Sequence, residues 1–267
     1  RHIRISLAYV IMIILIWIPM ARRKSLAFLD VGQGDCFVAD TKSGAIIFDG
    51  GSSSEDQVGR YRILPYMKYL GYQKIQIAVI SHMDIDHYSG IKELLEMGKI
   101  KYLGLPEIPK DETMKKIIGI AKKRGTTIFY LSRGRQITTK DGSLKVLHPQ
   151  KNSQMEKNVA SLVMQGKILG YRVLLTGDVE KEGEEELLSE ELERADILKA
   201  AHHGSKNSTS NEFLQKVQPK QTVISCGKQN RYGHPHLETI HRLQTYRTKI
   251  YRTDRSGAII FFKRRDG

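Results

Sequence analysis

The chain has 267 residues, and its 43 Lys and Arg against 29 Asp and Glu leave a formal net charge of +14. Apolar residues make up 40% and charged residues 27%, which excludes a disordered tail or a collagen-like rod and suffices for one large domain or two small ones. Two cysteines, Cys36 and Cys226, exclude a disulfide framework, so the fold rests on its core and on any metal it binds.

Five of the cations (Arg1, Arg4, Arg22, Arg23 and Lys24) fall in the first 24 residues, which hold no acid; the other 38 against 29 acids still leave +9. That excess suits an anionic partner, nucleic acid or a phospholipid surface. Residues 5–20 carry no charge and are apolar at nearly every position, with Trp17 near one end. As a helix, residues 3–20 reach about 27 Å, most of a roughly 30 Å hydrocarbon core if Arg4 snorkels. The segment is therefore expected to span a membrane. A signal peptide would be shorter and end in small residues, whereas Pro19-Met20-Ala21-Arg22-Arg23 follows here. Both flanks are basic, so charge does not orient the segment. The start at Arg1 suggests a piece of something longer.

From Leu26 the pattern changes to strands. LAFLDVGQGDCFVAD and GAIIFDGG flank Thr41-Lys42-Ser43-Gly44, a hairpin signal. A polar loop over 52–60 leads to a helix around ILPYMKYLGY, with Pro65 in its first turn. IQIAVIS reads as a strand buried on both faces. Next come a helix at IKELLEMG, a strand at IKYLGL, a helix at ETMKKIIGIAKKRG and a strand at TTIFYL. The second half continues with strands at SLKVLH, ASLVMQGKI and YRVLLTGD, an acidic helix over 180–193 expected to be a solvated face, and a strand at DILKAAHH. It closes with a helix at NEFLQKVQ, a strand at TVISCG, a helix at HLETIHRLQT and a hairpin over 249–262. Two sets of mixed strands, each flanked by helices, predict a four-layer αββα sandwich of the α/β class.

The chemistry concentrates at strand ends. Ser81-His82-Met83-Asp84-Ile85-Asp86-His87 follows the buried strand; alternation in an extended segment would point His82, Asp84 and Asp86 one way, with His87 opening the helix. A polar loop with Asp86 capping that helix is the plainer alternative. Imidazole and carboxylate together suit zinc or a neighbouring first-row ion such as manganese. Thr176-Gly177-Asp178, His202-His203-Gly204-Ser205 and the stretch from Asn230 to His236 end three further strands. Such ends gather a site when the fold brings the sheet edges together. Asp30, Gln33, Asp35 and Asp49 are expected to support such a site, His148 to be structural and Cys226 to be buried.

HMDIDH, TGD and HHGS in this order resemble the metallo-β-lactamase superfamily of metal-dependent hydrolases. More narrowly, LDVGQGD (29–35), FDGG (48–51), SHMDIDHYSG (81–90), NVASLV (158–163), LLTGD (174–178), LKAAHHGSKNSTS (198–210), NRYGHPH (230–236) and YRTDRSGAI (251–259) resemble the C-terminal hydrolase domain of the ComEC competence proteins, bacterial DNA-uptake channels. The likeness runs from residue 26 to 262. It implies a membrane segment over 1–24 and a hydrolase domain over 25–267, placed at the cell membrane on the extracytoplasmic face, with channel-forming helices elsewhere in a longer protein. It also implies His82, Asp84, Asp86, His87, Asp178 and His203 as metal ligands, with Asp178 bridging two ions and Asp86, His82 and Asp178 serving catalysis. His202, Lys206, Ser208, Asn230, Arg231 and His234 are expected to contact phosphate.

The sequence departs from the superfamily pattern in having Asp84 where a second histidine is usual, and Asn158 and Ser161 where a third is expected. The first metal position is thus poorer in nitrogen, which leaves zinc or manganese, one or two ions, as the expected cofactor. Metal-activated water attacking phosphorus suits a nuclease acting on the non-transported DNA strand, and with only 7% aromatics recognition would rest on the backbone. Two alternatives stand beside it: an anchored hydrolase of small phosphodiesters or phosphocholine-type groups, and a non-catalytic DNA-binding module.

Overall fold

The computed structural model describes residues 23–155, 158–189 and 192–264. Strands β1 (Ser25–Phe28), β2 (Phe37–Thr41), β3 (Gly44–Phe48), β4 (Ile75–Val79), β5 (Ile100–Pro106), β6 (Thr127–Leu131) and β14 (Ile259–Phe262) form one seven-stranded sheet in the order β14-β1-β2-β3-β4-β5-β6. The second has the order β13-β12-β11-β10-β9-β8-β7. It comprises β7 (Gln136–Thr139), β8 (Gly142–His148), β9 (Val163–Ile168), β10 (Tyr171–Leu175), β11 (Ile197–Lys199), β12 (Gln221–Ile224) and β13 (Lys249–Arg252). Both sheets are built alike: β14 to β3 and β7 to β10 pair antiparallel, while β3 to β6 and β10 to β13 pair parallel.

Strand alternation builds the layers, because successive side chains point to opposite faces. In β3, Ile46 and Phe48 join the core between the sheets, while Ala45 and Ile47 face outward to α1 (Leu64–Tyr69), α2 (Ile85–Glu96) and α3 (Glu112–Lys123). In β10, Val173 and Leu175 face the inner core and Leu174 the outer one, with α4 (Lys181–Leu188), α5 (Asn211–Val217) and α6 (Leu237–Thr245). The result is the αββα sandwich expected from the sequence.

Some local expectations fail for identifiable reasons. The closing segment is not a hairpin: a short helix α7 (Thr253–Ser256) separates β13, which pairs with β12, from β14, which crosses to pair antiparallel with β1. Phe261 of β14 packs edge-on against Phe28 of β1 at 6.2 Å, and Phe28 meets Phe37 of β2 at 5.0 Å, so aromatic burial on the inner face of the first sheet outweighs local pairing. Strand β7 is too polar to stand out in the sequence, with only Ile137 buried. The acidic helix is not wholly solvated, since Glu184 is buried and its carboxylate accepts hydrogen bonds from the amides of Thr209 and Ser210. Among the described residues no helix is long and apolar enough to cross a membrane; the span expected over 3–20 lies outside them.

Candidate metal centre

Helix α2 brings the first set of side chains into place. His87, Gly90, Ile91, Leu94 and Leu95 are its buried positions, the one-sided spacing of an amphipathic helix. A side chain at Gly90 would strike the carbonyl of Gly50, and one at Gly51 would strike the amide of His87. These glycines let the helix start close against the end of β3. Asp84, not Asp86, holds the N-cap position, and Asp86 sits in the first helical turn. The extended alternation expected across the motif therefore stops at Asp84.

At the end of β3, Asp49 accepts the amide of Ser81 at 2.7 Å and its hydroxyl at 2.8 Å, and lies 3.0 Å from Nδ1 of His87. A carboxylate on Nδ1 holds the ring so that Nε2 faces inward. His82 is braced in the same way, its Nδ1 lying 3.0 Å from Ser81 Oγ and 3.2 Å from Ser161 Oγ. Ser161 also accepts the amide of Asp178.

From the other sheet, β11 ends in the 3-10 turn Ala201–Gly204, where His202 and His203 take φ values of 47° and 54°. Two consecutive left-handed residues without glycine cost about 1–3 kcal/mol each. The turn seats His203, whose Nδ1 lies 3.0 Å from the carbonyl of Ser225 and whose Nε2 stands 3.3 Å from Asp86 and 3.4 Å from Asp178. His87 Nε2 lies 3.2 Å from the same Asp178 oxygen.

Ligand-type atoms of His82, His87 and Asp178 lie within 4.8 Å of one another, as do those of Asp86, His87 and His203, and those of Asp35, Asp178 and His203. Nε2 of His82, His87 and His203 and Oδ1 of Asp178 are buried without a hydrogen-bond partner. Unpaired buried polar atoms are costly, and this donor set of imidazoles and carboxylates fits a divalent cation. The electrostatics agree. Burial opposes charge on His203, but Asp178 and Asp35 outweigh it and raise its pKa to about 10. His87, equally buried, is raised well above its ordinary value by Asp178 and Asp49. Asp178 is held well below the carboxylate range, against burial, by His203 and His87. Negative charge thus prevails at the cluster and recruits positive charge.

The cluster opens into a cavity of about 360 Å³ whose walls include Asp84, Asp86, Asp178, His202, His203 and His234. Asp84 stands at its edge, its carboxylate 3.7 Å from His82 Nε2 and 42% exposed. The histidine doublet divides: His203 joins the cluster, and His202 turns to Glu180 at 3.1 Å, with its Nε2 3.8 Å from Asp178. His234 is kept neutral, its pKa brought down to about 4 by burial and by His203 and His202. Arg231 lies 4.9 Å over the ring of Tyr232, which stacks on His234 at 5.7 Å.

Three expected phosphate contacts are placed elsewhere. The Ser208 hydroxyl is buried and donates to the carbonyl of Val179. Asn230 spends its amide on its own loop, donating to the carbonyls of Gly227 and His234 and accepting from the amides of Tyr232 and His234. Lys206 is exposed and lines a different cavity, with Glu180 and Arg242.

Other residues support the cluster through partners that the sequence does not show. Lys199, buried at the end of β11, pairs at 2.6 Å with Asp35, which reaches His203 Nδ1 at 3.4 Å. Burial works to raise the Asp35 pKa, but Lys199 and then His203 hold it at about 2. Arg242 and Glu184 tie down the loop after His203 from two sides. A charged strand residue and a basic helix residue look like surface in the sequence; only their burial and partners reveal them. His148, buried against the carbonyl of Val159 at 2.7 Å, belongs to none of the ligand clusters.

An αββα sandwich with histidines and aspartates converging from both sheet edges defines a metallo-hydrolase fold, and the chain belongs to the metallo-β-lactamase superfamily, whose model matches residues 29–228. Within it, the chain is similar to ComE operon protein 3 of Bacillus subtilis (strain 168), with 35% identity over 97% of this chain and 35% of that protein. It is also similar to competence protein ComA of Neisseria gonorrhoeae, with 30% identity over 89% of this chain and 32% of that protein. The chain therefore spans about a third of the length of these relatives. Among solved structures, the metallo-β-lactamase fold protein YhfI from Bacillus subtilis superposes with a TM-score of 0.58 at 14% identity, over 89% of this chain and 99% of that one. That likeness bears on the fold alone.

Proposed function

We propose that this chain is a metal-dependent phosphodiester hydrolase whose substrate is DNA, acting as a nuclease on the strand that is not transported during competence DNA uptake. The observation that carries the reading is the set of buried nitrogens and oxygens without a hydrogen-bond partner on His82, His87, His203 and Asp178, of which His203 and Asp178 line an open cavity. One or two divalent ions such as zinc or manganese, held by His82, His87 and Asp178 and by Asp86 and His203 beside them, would stabilise charge on phosphoryl oxygens and acidify water. Asp86, at 3.3 Å from His203 and lining the cavity, orients the attacking water and takes its proton. Neutral His234, together with His202, donates to phosphate oxygens, and Arg231 attracts the polyanion at the mouth.

The residual +9 outside the first 24 residues supports a polyanionic substrate. The similarity to a competence protein supports DNA. Residues 1–24 as a membrane segment and 25–267 as the hydrolase domain extend the proposal, with the domain on the extracytoplasmic face beside channel-forming helices of a longer protein. The uncharged run over 5–20 supports the anchor.

The test is cleavage of end-labelled single- and double-stranded DNA by the chain with manganese or zinc, with bis-p-nitrophenyl phosphate in parallel. Metal-dependent DNA cleavage that weakens with salt and is abolished in Asp178→Ala is expected. Hydrolysis of the small diester alone would instead support a small-phosphodiester enzyme, and DNA binding without metal uptake a non-catalytic module.

A further inference from the structure

His82 is a wall shared by two spaces. One side belongs to the metal cluster; the other lines a separate cavity of about 150 Å³ with Met83, Ile108, Pro109, Met114 and Met155. Three thioethers arrive from three elements: Met83 from the turn after β4, Met114 from α3, and Met155 from the loop after β8. Met83 and Met114 are buried, and the polar neighbours are Asp111, Ser153 and the exposed Gln154. The Gln154 side-chain amide makes only a long contact of 3.5 Å to the carbonyl of Asn152.

Resting on the phosphodiesterase reading above, we infer that this cavity is the subsite for one nucleobase flanking the scissile phosphate. The two cavities are lined by adjoining stretches of chain, Met83 and Met155 on this side and Asp84 and Asn158 over the cluster, so an ester substituent of a phosphate held at the cluster has this cavity as its neighbour. The space is too small for a long acyl chain, while a single flat heterocycle is an apolar body with a polar edge. Methionine side chains are polarisable and adapt to different shapes. Asp111 and Ser153 already accept the amides of Met114 and Met155, so the subsite takes purine or pyrimidine alike, which suits degradation without sequence preference. It also supplies the base contact that aromatic stacking provides in other single-strand binders.

The experiment is methyl NMR of the whole 267-residue chain labelled at methionine, titrated with thymidine 5′-monophosphate, with deoxyribose 5-phosphate and with inorganic phosphate. Thymidine monophosphate is expected to shift the methyls of Met83, Met114 and Met155 and to leave Met164, in the inter-sheet core, unmoved. It should bind on the order of tenfold more tightly than the base-free phosphate, as a base contact of this kind implies. Ile108→Trp, which fills the cavity, should abolish that advantage, and Met155→Ala should reduce it; an unchanged Met164 signal reports that each variant is folded. Equal affinity for the two sugar phosphates, or binding without response from the three methyls, overturns the inference. The readout needs no turnover: selective methyl shifts in a chain that does not cleave DNA would uphold the base subsite and refute the nuclease reading, and cleavage without them would do the reverse.

Discussion

Arg242 offers the sharpest test of how the second histidine is held. From α6 its Nε donates to the carbonyl of Thr209 at 3.1 Å, and one Nη donates to the carbonyls of Lys206 and Ser208 at 2.9 Å each. Opposite, Glu184 accepts the amides of Thr209 and Ser210. Between them the loop from Gly204 to Ser210 is tied through both its carbonyls and its amides, directly after two left-handed histidines. Hydrogen bonds from a charged donor contribute about 1.5–3 kcal/mol each when buried, but this side chain is only half-buried, so Arg242→Ala should cost about 2–3 kcal/mol in total.

A chain of this size then melts about 5–10 °C lower, and in urea the midpoint falls with the slope unchanged. Urea unfolding with chelator present, followed by far-UV circular dichroism, isolates the loop from the ions. Glu184 adds a pH signature. Burial raises its pKa above 4.5, and Arg242 acts in the opposite direction. Because the folded value is raised, the stability this group contributes is present below the unfolded value and is lost as pH rises through the folded one. Removing Arg242 raises it further, so the penalty of Arg242→Ala should be smaller near pH 4 than at pH 7. A side chain that braces a ligand-bearing loop should also lower zinc affinity by about 10–100-fold, and Arg242→Lys should restore only part of it. A penalty below about 0.5 kcal/mol, the surface-substitution range, with unaltered zinc affinity would refute the clamp.

Two further predictions concern the scaffold. Asp196 accepts the amide of Arg172 at 2.9 Å and pairs with Lys220 and Arg264; its pKa is lowered against burial by these partners. Asp196→Asn should therefore cost about 1–2 kcal/mol at pH 7. That difference should vanish as pH falls below 3.8 through the folded value, which urea melts at stepped pH would show; a penalty independent of pH would count against it. Burial pushes the Cys226 thiol to about 12 and Cys36 well above its ordinary value. Neither thiol should react with a disulfide reagent at pH 8 faster than the chain unfolds, and rapid labelling of the native protein would contradict the packing.

Much of the architecture was legible because alternation and helical spacing repeat at every element: Ile46 and Phe48 inward against Ala45 and Ile47 outward is a period the residues display by themselves. The motifs at strand ends were legible for a related reason, since four ligand-type side chains in the six residues from His82 to His87 have no place in a packed core without a role. What escaped was whatever depends on a distant partner. The last two strands read as a hairpin because they are adjacent in sequence; they separate because Phe261 is buried against Phe28, far along the chain. Ser208 and Asn230 read as phosphate donors because hydroxyl and amide suit phosphate, yet Ser208 donates to Val179 on another segment and Asn230 to carbonyls of its own loop. Lys199, Glu184 and Arg242 read as ordinary charges.

The sequence by itself determined the layered class, the family likeness and the chemical inventory of the site, since these follow from local periodicity and residue type. Only the tertiary structure decided which donors meet. It set His87 between Asp49 and Asp178, turned His203 into the cluster and His202 toward Glu180, and placed His82 between the cluster of ligand-type side chains and a cavity lined by three methionines. Convergence of side chains from two sheets depends on how the layers pack, and no local pattern encodes the distance between residues as far apart as His82 and His203.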